Sequence, residues 1–133
     1  MAVLVGLVLA ICVGIFATAV GLDRDRAFYP TVTIVIASLY VLFAVIGDSP
    51  HALLVELAIC AAFVLAAVAG FKRSLWIVVS ALAIHGAQDV VHLSLVENPG
   101  VPAWWPAFCG MYDIAAALYL AWLIRSGRVR AAS

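Results

Sequence analysis

Charge is scarce in this sequence, and lysine is the scarcest of the charged residues. Seven basic and seven acidic side chains are spread over 133 residues, of which 68% are hydrophobic, whereas an ordinary soluble domain is about half apolar and about one-quarter charged. With a mean hydropathy of +1.22, a soluble globular fold is excluded. The single lysine, Lys72, falls between apolar runs, so none is available at membrane depth for a retinal-type Schiff base. No Gly-rich phosphate loop and no G-x-S-x-G elbow occurs, which leaves phosphate-loop and serine-hydrolase chemistry without support. Nucleic-acid binding is likewise unsupported, because the few basic residues have a topological explanation. Cysteine is sparse as well. Cys12, Cys60 and Cys109 lie in three different apolar runs with no C-x-x-C spacing, so neither a disulfide framework nor a cysteine-pair metal motif follows, and the thiols read as small packing groups.

What the chain has in abundance is apolar runs of membrane length. A bilayer core of roughly 30 Å takes about 20 helical residues at ~1.5 Å each. Five runs qualify: Val3 to Leu22, Phe28 to Ile46, Pro50 to Gly70, Ser74 to Val96 and Trp104 to Ile124. The expectation is an all-α integral membrane protein, a five-helix bundle forming one domain over residues 1–133. These spans leave almost no chain for an extramembrane domain, so the chemistry belongs within the bilayer, at its surface, or with a partner. Ala17-Thr18-Ala19 imitates a signal-peptide cleavage site, but the first run lacks a basic flank and exceeds the usual ~7–15 apolar residues, so it reads as a retained helix. In "LAIC" Ile11 stands where a lipoprotein box wants a small residue.

If the helices alternate, every basic residue falls on one side: Arg24 and Arg26, then Lys72 and Arg73, then Arg125, Arg128 and Arg130, while the opposite loops "GDSP" and "ENPGVPA" carry none. Basic residues in short loops mark the cytoplasmic face, which predicts the N-terminus outside, the C-terminus inside, and a multi-pass protein of a bacterial-type plasma (inner) membrane. Within this frame the alternating "DRDR" run at 23–26 reads as a solvated loop. Ser49-Pro50 and Asn98-Pro99-Gly100 read as turns, and Trp104 and Trp105 as interfacial anchors with ligand stacking as the second reading.

Against this background, "ALAIHGAQDVVHLSL" at residues 81–95 carries His85, Gln88, Asp89 and His92. Positions 85, 88/89 and 92 share one helical face. Helix rise puts His85 near the midplane, Asp89 roughly 6 Å and His92 roughly 10 Å outward. The same arithmetic puts Glu56 about 6 Å and Cys109 about 7 Å outward, with Asp113 near the midplane. The first two spans offer no ionisable residue at comparable depth. An intramembrane charge costs at least ~2.5–3.5 kcal/mol on insertion scales. Three carboxylates and two imidazoles must therefore pair or meet water, and the expectation is a shared cavity lined by Glu56, His85, Asp89, His92, Tyr112 and Asp113.

Three uses of such a cavity follow. The first is acid–base catalysis on a lipophilic small molecule, an isoprenoid or sterol-like isomerisation or cyclisation that needs no cofactor. In this reading Asp89 and His85 lead, Glu56, His92 and Asp113 serve as charge partners or second acid and base, and Tyr112, Gln88, Trp104 and Trp105 contact substrate. His85-x-x-x-Asp89 on one transmembrane helix, with other acids nearby in a five-helix bundle, is distantly similar to the sterol isomerase arrangement of the emopamil-binding-protein family. That resemblance implies an isomerase acting through these two residues, although Glu56 here precedes the histidine-bearing span, where the second acid is expected to follow it. The second use is a metal or haem site with ligands among His85, His92, Asp89, Glu56 and Asp113. A seven-residue separation of the imidazoles, about 10 Å along a helix, makes it hard for both to hold one ion. The third is a proton or ion pathway, or a subunit held to a partner or to copies of itself by polar contacts. An odd helix count without internal duplication argues against a self-contained inverted-repeat transporter.

Overall fold

The computed structural model describes residues 1–132. It is all-helical, with α1 (Ala2–Val20), α2 (Phe28–Ile46), α3 (Pro50–Lys72), α4 (Leu75–Leu95) and α5 (Trp105–Arg125). All five are long and apolar enough to cross a bilayer. Local chemistry sets their ends. Gly21, at φ 89°, turns the chain out of α1 and donates to the Ala17 carbonyl, so that helix stops two residues before the end of the apolar run. Ser49 caps α3 by accepting from the Ala52 amide, with Pro50 in the first turn, and Ser74 caps α4 by accepting from Trp76. Arg26 donates to the carbonyls of Gly70 and Phe71, which ties the α1–α2 loop to the last turn of α3.

The packing is inside out relative to a soluble domain. Leu54, Leu65, Val90, Leu95 and Leu118 are exposed, while Glu56, His85, Asp89, His92 and Asp113 are buried. In hydrocarbon this is the favourable arrangement, because the outward side chains meet lipid and the polar groups meet one another. α4 is central: it packs against α5, α3 and α2, α2 lies along α3, and α5 carries α1 on its far side. The α1 face toward the bundle is made of small residues, Gly6, Ala10, Gly14 and Ala17, which let backbones approach closely.

α4 and α5 meet at Gly86 and Gly110, each lying against the other's carbonyl. A Cβ built on Gly86 would sit 2.9 Å from the Gly110 oxygen and 3.2 Å from the Asp113 Cβ. This contact fixes the spacing of the two helices that carry most of the buried polar residues. Gly86→Ala is expected to cost about 1–3 kcal/mol, the usual penalty for overpacking, measurable as earlier thermal unfolding in detergent. An unchanged transition would show the helices free to move apart.

One expectation is corrected here. The "DRDR" loop is not wholly solvated: Asp23 is buried and accepts a 2.7 Å hydrogen bond from Thr18, whose hydroxyl also lies 3.1 Å from that of Tyr119. The left-handed turn at Gly21 folds the loop back onto the end of α1, which brings Asp23 to Thr18.

Candidate functional site

The stripe of α4 faces α2, α3 and α5 together. His85, Asp89, His92, Glu56 and Asp113 are all between 0 and 2% exposed. They resolve into an inner and an outer cluster. In the inner one, His85 Nδ1 lies 2.7 Å from Asp113 Oδ2 and 3.7 Å from Asp89 Oδ2, while Phe63 packs edge-on against the imidazole at 4.7 Å. Cys109, one turn before Asp113 on α5, joins them: one ligand-type atom from each of His85, Asp89, Cys109 and Asp113 can be chosen so that all four lie within 4.8 Å of one another. In the outer cluster His92 Nε2 lies 2.8 Å from Glu56 Oε1. The same oxygen accepts from Asn98 Nδ2 at 3.1 Å, and Asn98 also donates to the Tyr40 carbonyl.

Tyr40 joins the two clusters. Its hydroxyl donates to Asp89 Oδ1 at 2.6 Å, and its ring stacks on His92 with centroids 3.9 Å apart. Neither Tyr40 nor Asn98 stood out in the sequence. A tyrosine in the middle of an apolar span looks like packing, and Asn98 looked fully explained by its Asn-Pro-Gly turn. The available signal was depth: a hydroxyl far inside hydrocarbon needs a partner. Cys109 had a clearer one, standing four residues before Asp113 on the same helical face.

Some polar capacity goes unused. Among the described residues, Asp89 Oδ2, Asp113 Oδ1, Glu56 Oε2 and His92 Nδ1 are buried with no hydrogen-bond partner. An orphaned buried acceptor or donor costs about 1–3 kcal/mol, more when charged, so these atoms point to something the protein alone does not supply. When every group is ionised, three carboxylates face two imidazolium ions.

Among the described residues, the clustered acids and imidazoles do not enclose the shared cavity expected from the sequence. The clustered side chains pack directly on one another, and the void lies beside them: a recess of about 450 Å³ bounded by α1, α4 and α5, lined by Val3, Gly86, Asp89, Pro106, Gly110 and Ile114 among others. Asp89 is its one ionisable lining residue. Asp89 lines the recess on its α4 side, between Gly86 and Val90, although its side chain has no exposed surface. Neither imidazole lines it, so it offers no axial histidine to a haem.

The other candidates lie apart. Tyr112 faces a different groove, beside Phe28, Thr31, Val35 and Ile36. Trp104 is exposed, and Trp105 packs on Phe43 and Phe108. The two tryptophans line a fully apolar hollow near Met1 and Val5. Gln88 is half-buried, with a buried amide nitrogen that has no partner among the described residues. His85 and His92 belong to separate clusters. No family model, no curated protein and no solved structure matches the chain. The likeness to the emopamil-binding-protein family therefore rests on His85, Asp89 and the helix count alone.

Proposed function

We propose that this chain is an intramembrane enzyme that moves protons on a lipophilic small molecule held in the α1–α4–α5 recess, in an isomerase- or cyclase-type reaction on an isoprenoid or sterol-like substrate. One observation carries the reading: Asp89 belongs both to the buried polar network and to the wall of an apolar recess. The Asp89 side chain has no exposed surface, so proton exchange with a substrate that never leaves the hydrocarbon requires it to turn toward the recess. Tyr40 fixes one of the Asp89 oxygens, and His85, backed by Asp113, stands beside the other as the second proton-exchanging group. Pockets of about 300–1,000 Å³ suit small-molecule ligands, and the recess falls in that range. The outer pair of Glu56 and His92 holds Tyr40 in place from behind.

The proposal includes an orientation, with the N-terminus outside, the C-terminus cytoplasmic and the plasma membrane as host. The arrangement of basic residues supports it. Arg26 reaches the end of α3 beside Lys72 and Arg73, and Arg125 lies over Trp76 at the start of α4, so these residues collect at one end of the bundle.

Mass spectrometry of lipophilic compounds that co-purify with the protein tests the site. Wild-type protein is expected to carry one compound well above the level set by bulk lipid, and Ala107→Trp, which fills the recess from a position outside the polar network, is expected to lose it. Equal recovery from both proteins would remove the recess from the account.

A further inference from the structure

We infer that His85, Asp89, Cys109 and Asp113 form a binding site for one divalent transition-metal ion of the zinc type. The inference rests on the reading of this cluster as the active site and adds the cofactor that the site would use.

The first argument is geometric. Ligand atoms about 2.0–2.3 Å from a tetrahedral zinc lie roughly 3.3–3.8 Å apart, and the four atoms here already lie within 4.8 Å of one another. They come from two helices locked together at Gly86 and Gly110, so side-chain shifts of about an ångström close the shell without moving the backbone. His85 and Asp89 are four apart on α4, as are Cys109 and Asp113 on α5, and each pair therefore projects from one helical face.

The second argument is the orphaned atoms. Asp89 Oδ2 and Asp113 Oδ1 are buried with no hydrogen-bond donor among the described residues. A cation held between the two carboxylates would supply a partner that these side chains otherwise lack.

The third argument concerns ligand type. One nitrogen, one sulfur and two oxygens form a borderline-soft set that fits zinc and its substitute cobalt, and excludes calcium and magnesium, which take oxygen ligands. The ion would displace the proton that His85 shares with Asp113 and the thiol proton of Cys109, as metal binding to imidazole and thiolate requires. Tyr40, holding Asp89 Oδ1, would orient that ligand from outside the coordination shell. Asp89 also borders the recess, so the ion would lie next to whatever occupies it.

The test uses the full chain purified in detergent without chelators. Elemental analysis is expected to find about one zinc per chain. Exchange with Co²⁺ is expected to give the visible bands of four-coordinate cobalt, together with a thiolate-to-cobalt charge-transfer band that disappears in Cys109→Ser and persists in Cys12→Ser and Cys60→Ser. Asp113→Asn is expected to lower metal affinity at least tenfold. Folded protein that takes up neither zinc nor cobalt, or a charge-transfer band that survives Cys109→Ser, would overturn the site. Failure of the two readings is distinguishable. A metal-free chain that still carries its lipophilic compound rejects the metal site and leaves the acid–base reading standing, whereas a metal-loaded chain without any such compound rejects the enzyme reading and leaves the metal site standing.

Discussion

Asp89→Asn is expected to insert and fold like the wild type and to turn over the co-purifying compound about 10²–10⁴-fold more slowly, the usual contribution of a positioned acid or base. The substitution is nearly isosteric. Its amide oxygen can still accept from Tyr40, whose hydroxyl lies 2.6 Å from Asp89 Oδ1, so the tie between α2 and α4 survives. What is lost is the ability to take up and release a proton at the wall of the recess. Metal content measured on the same preparation shows whether the lost rate accompanies a lost ion. Full turnover by the variant would remove Asp89 from the reaction and with it the link between the network and the recess.

Glu56→Leu is expected to be the most destabilising of the single changes considered. It deletes the acceptor for both His92 Nε2 and Asn98 Nδ2 and leaves those donors buried in an apolar bundle. Breaking a buried pair by removing one partner costs about 3–5 kcal/mol, and thermal or detergent unfolding should show a loss of that size. Glu56→Gln keeps an acceptor oxygen in place and is expected to lose much less, about 1–2 kcal/mol for weakened hydrogen bonds. If Leu and Gln at this position proved equally stable, the outer cluster would not be holding α3 against α4.

The bundle was largely legible before any coordinates, because hydrocarbon imposes a simple rule: about 20 apolar residues per span, with polar breaks between spans. The predicted second span coincides with α2, and the others differ from their helices by one or two residues at an end, as where the left-handed turn at Gly21 stops α1 and Ser74 stands outside α4 as its cap. The α4 stripe was legible for a related reason, since His85, Asp89 and His92 keep helical spacing and buried charge stands out against leucine. Partner choice was not legible. Helical periodicity says which face a residue occupies but not which neighbour it meets, so the split into an inner cluster of His85 with Asp113 and an outer one of His92 with Glu56 needed the packing of all five helices. Tyr40 and Asn98 join the network through contacts 49 and 58 residues apart in sequence, a separation that no local pattern reports. The recess escaped notice because its lining residues Gly86 and Gly110 have no side chain to mark it.

The claim beneath all of this is that acids and imidazoles from separate helices meet inside the bundle. Solid-state NMR on protein in lipid bilayers, with ¹⁵N in the histidine rings and ¹³C in the carboxyl groups, measures those meetings as dipolar couplings. The account predicts couplings from His85 to Asp113 and from His92 to Glu56, matching nitrogen–oxygen contacts of 2.7 and 2.8 Å. Well-ordered spectra in which neither imidazole couples to a carboxyl carbon on another helix would contradict it.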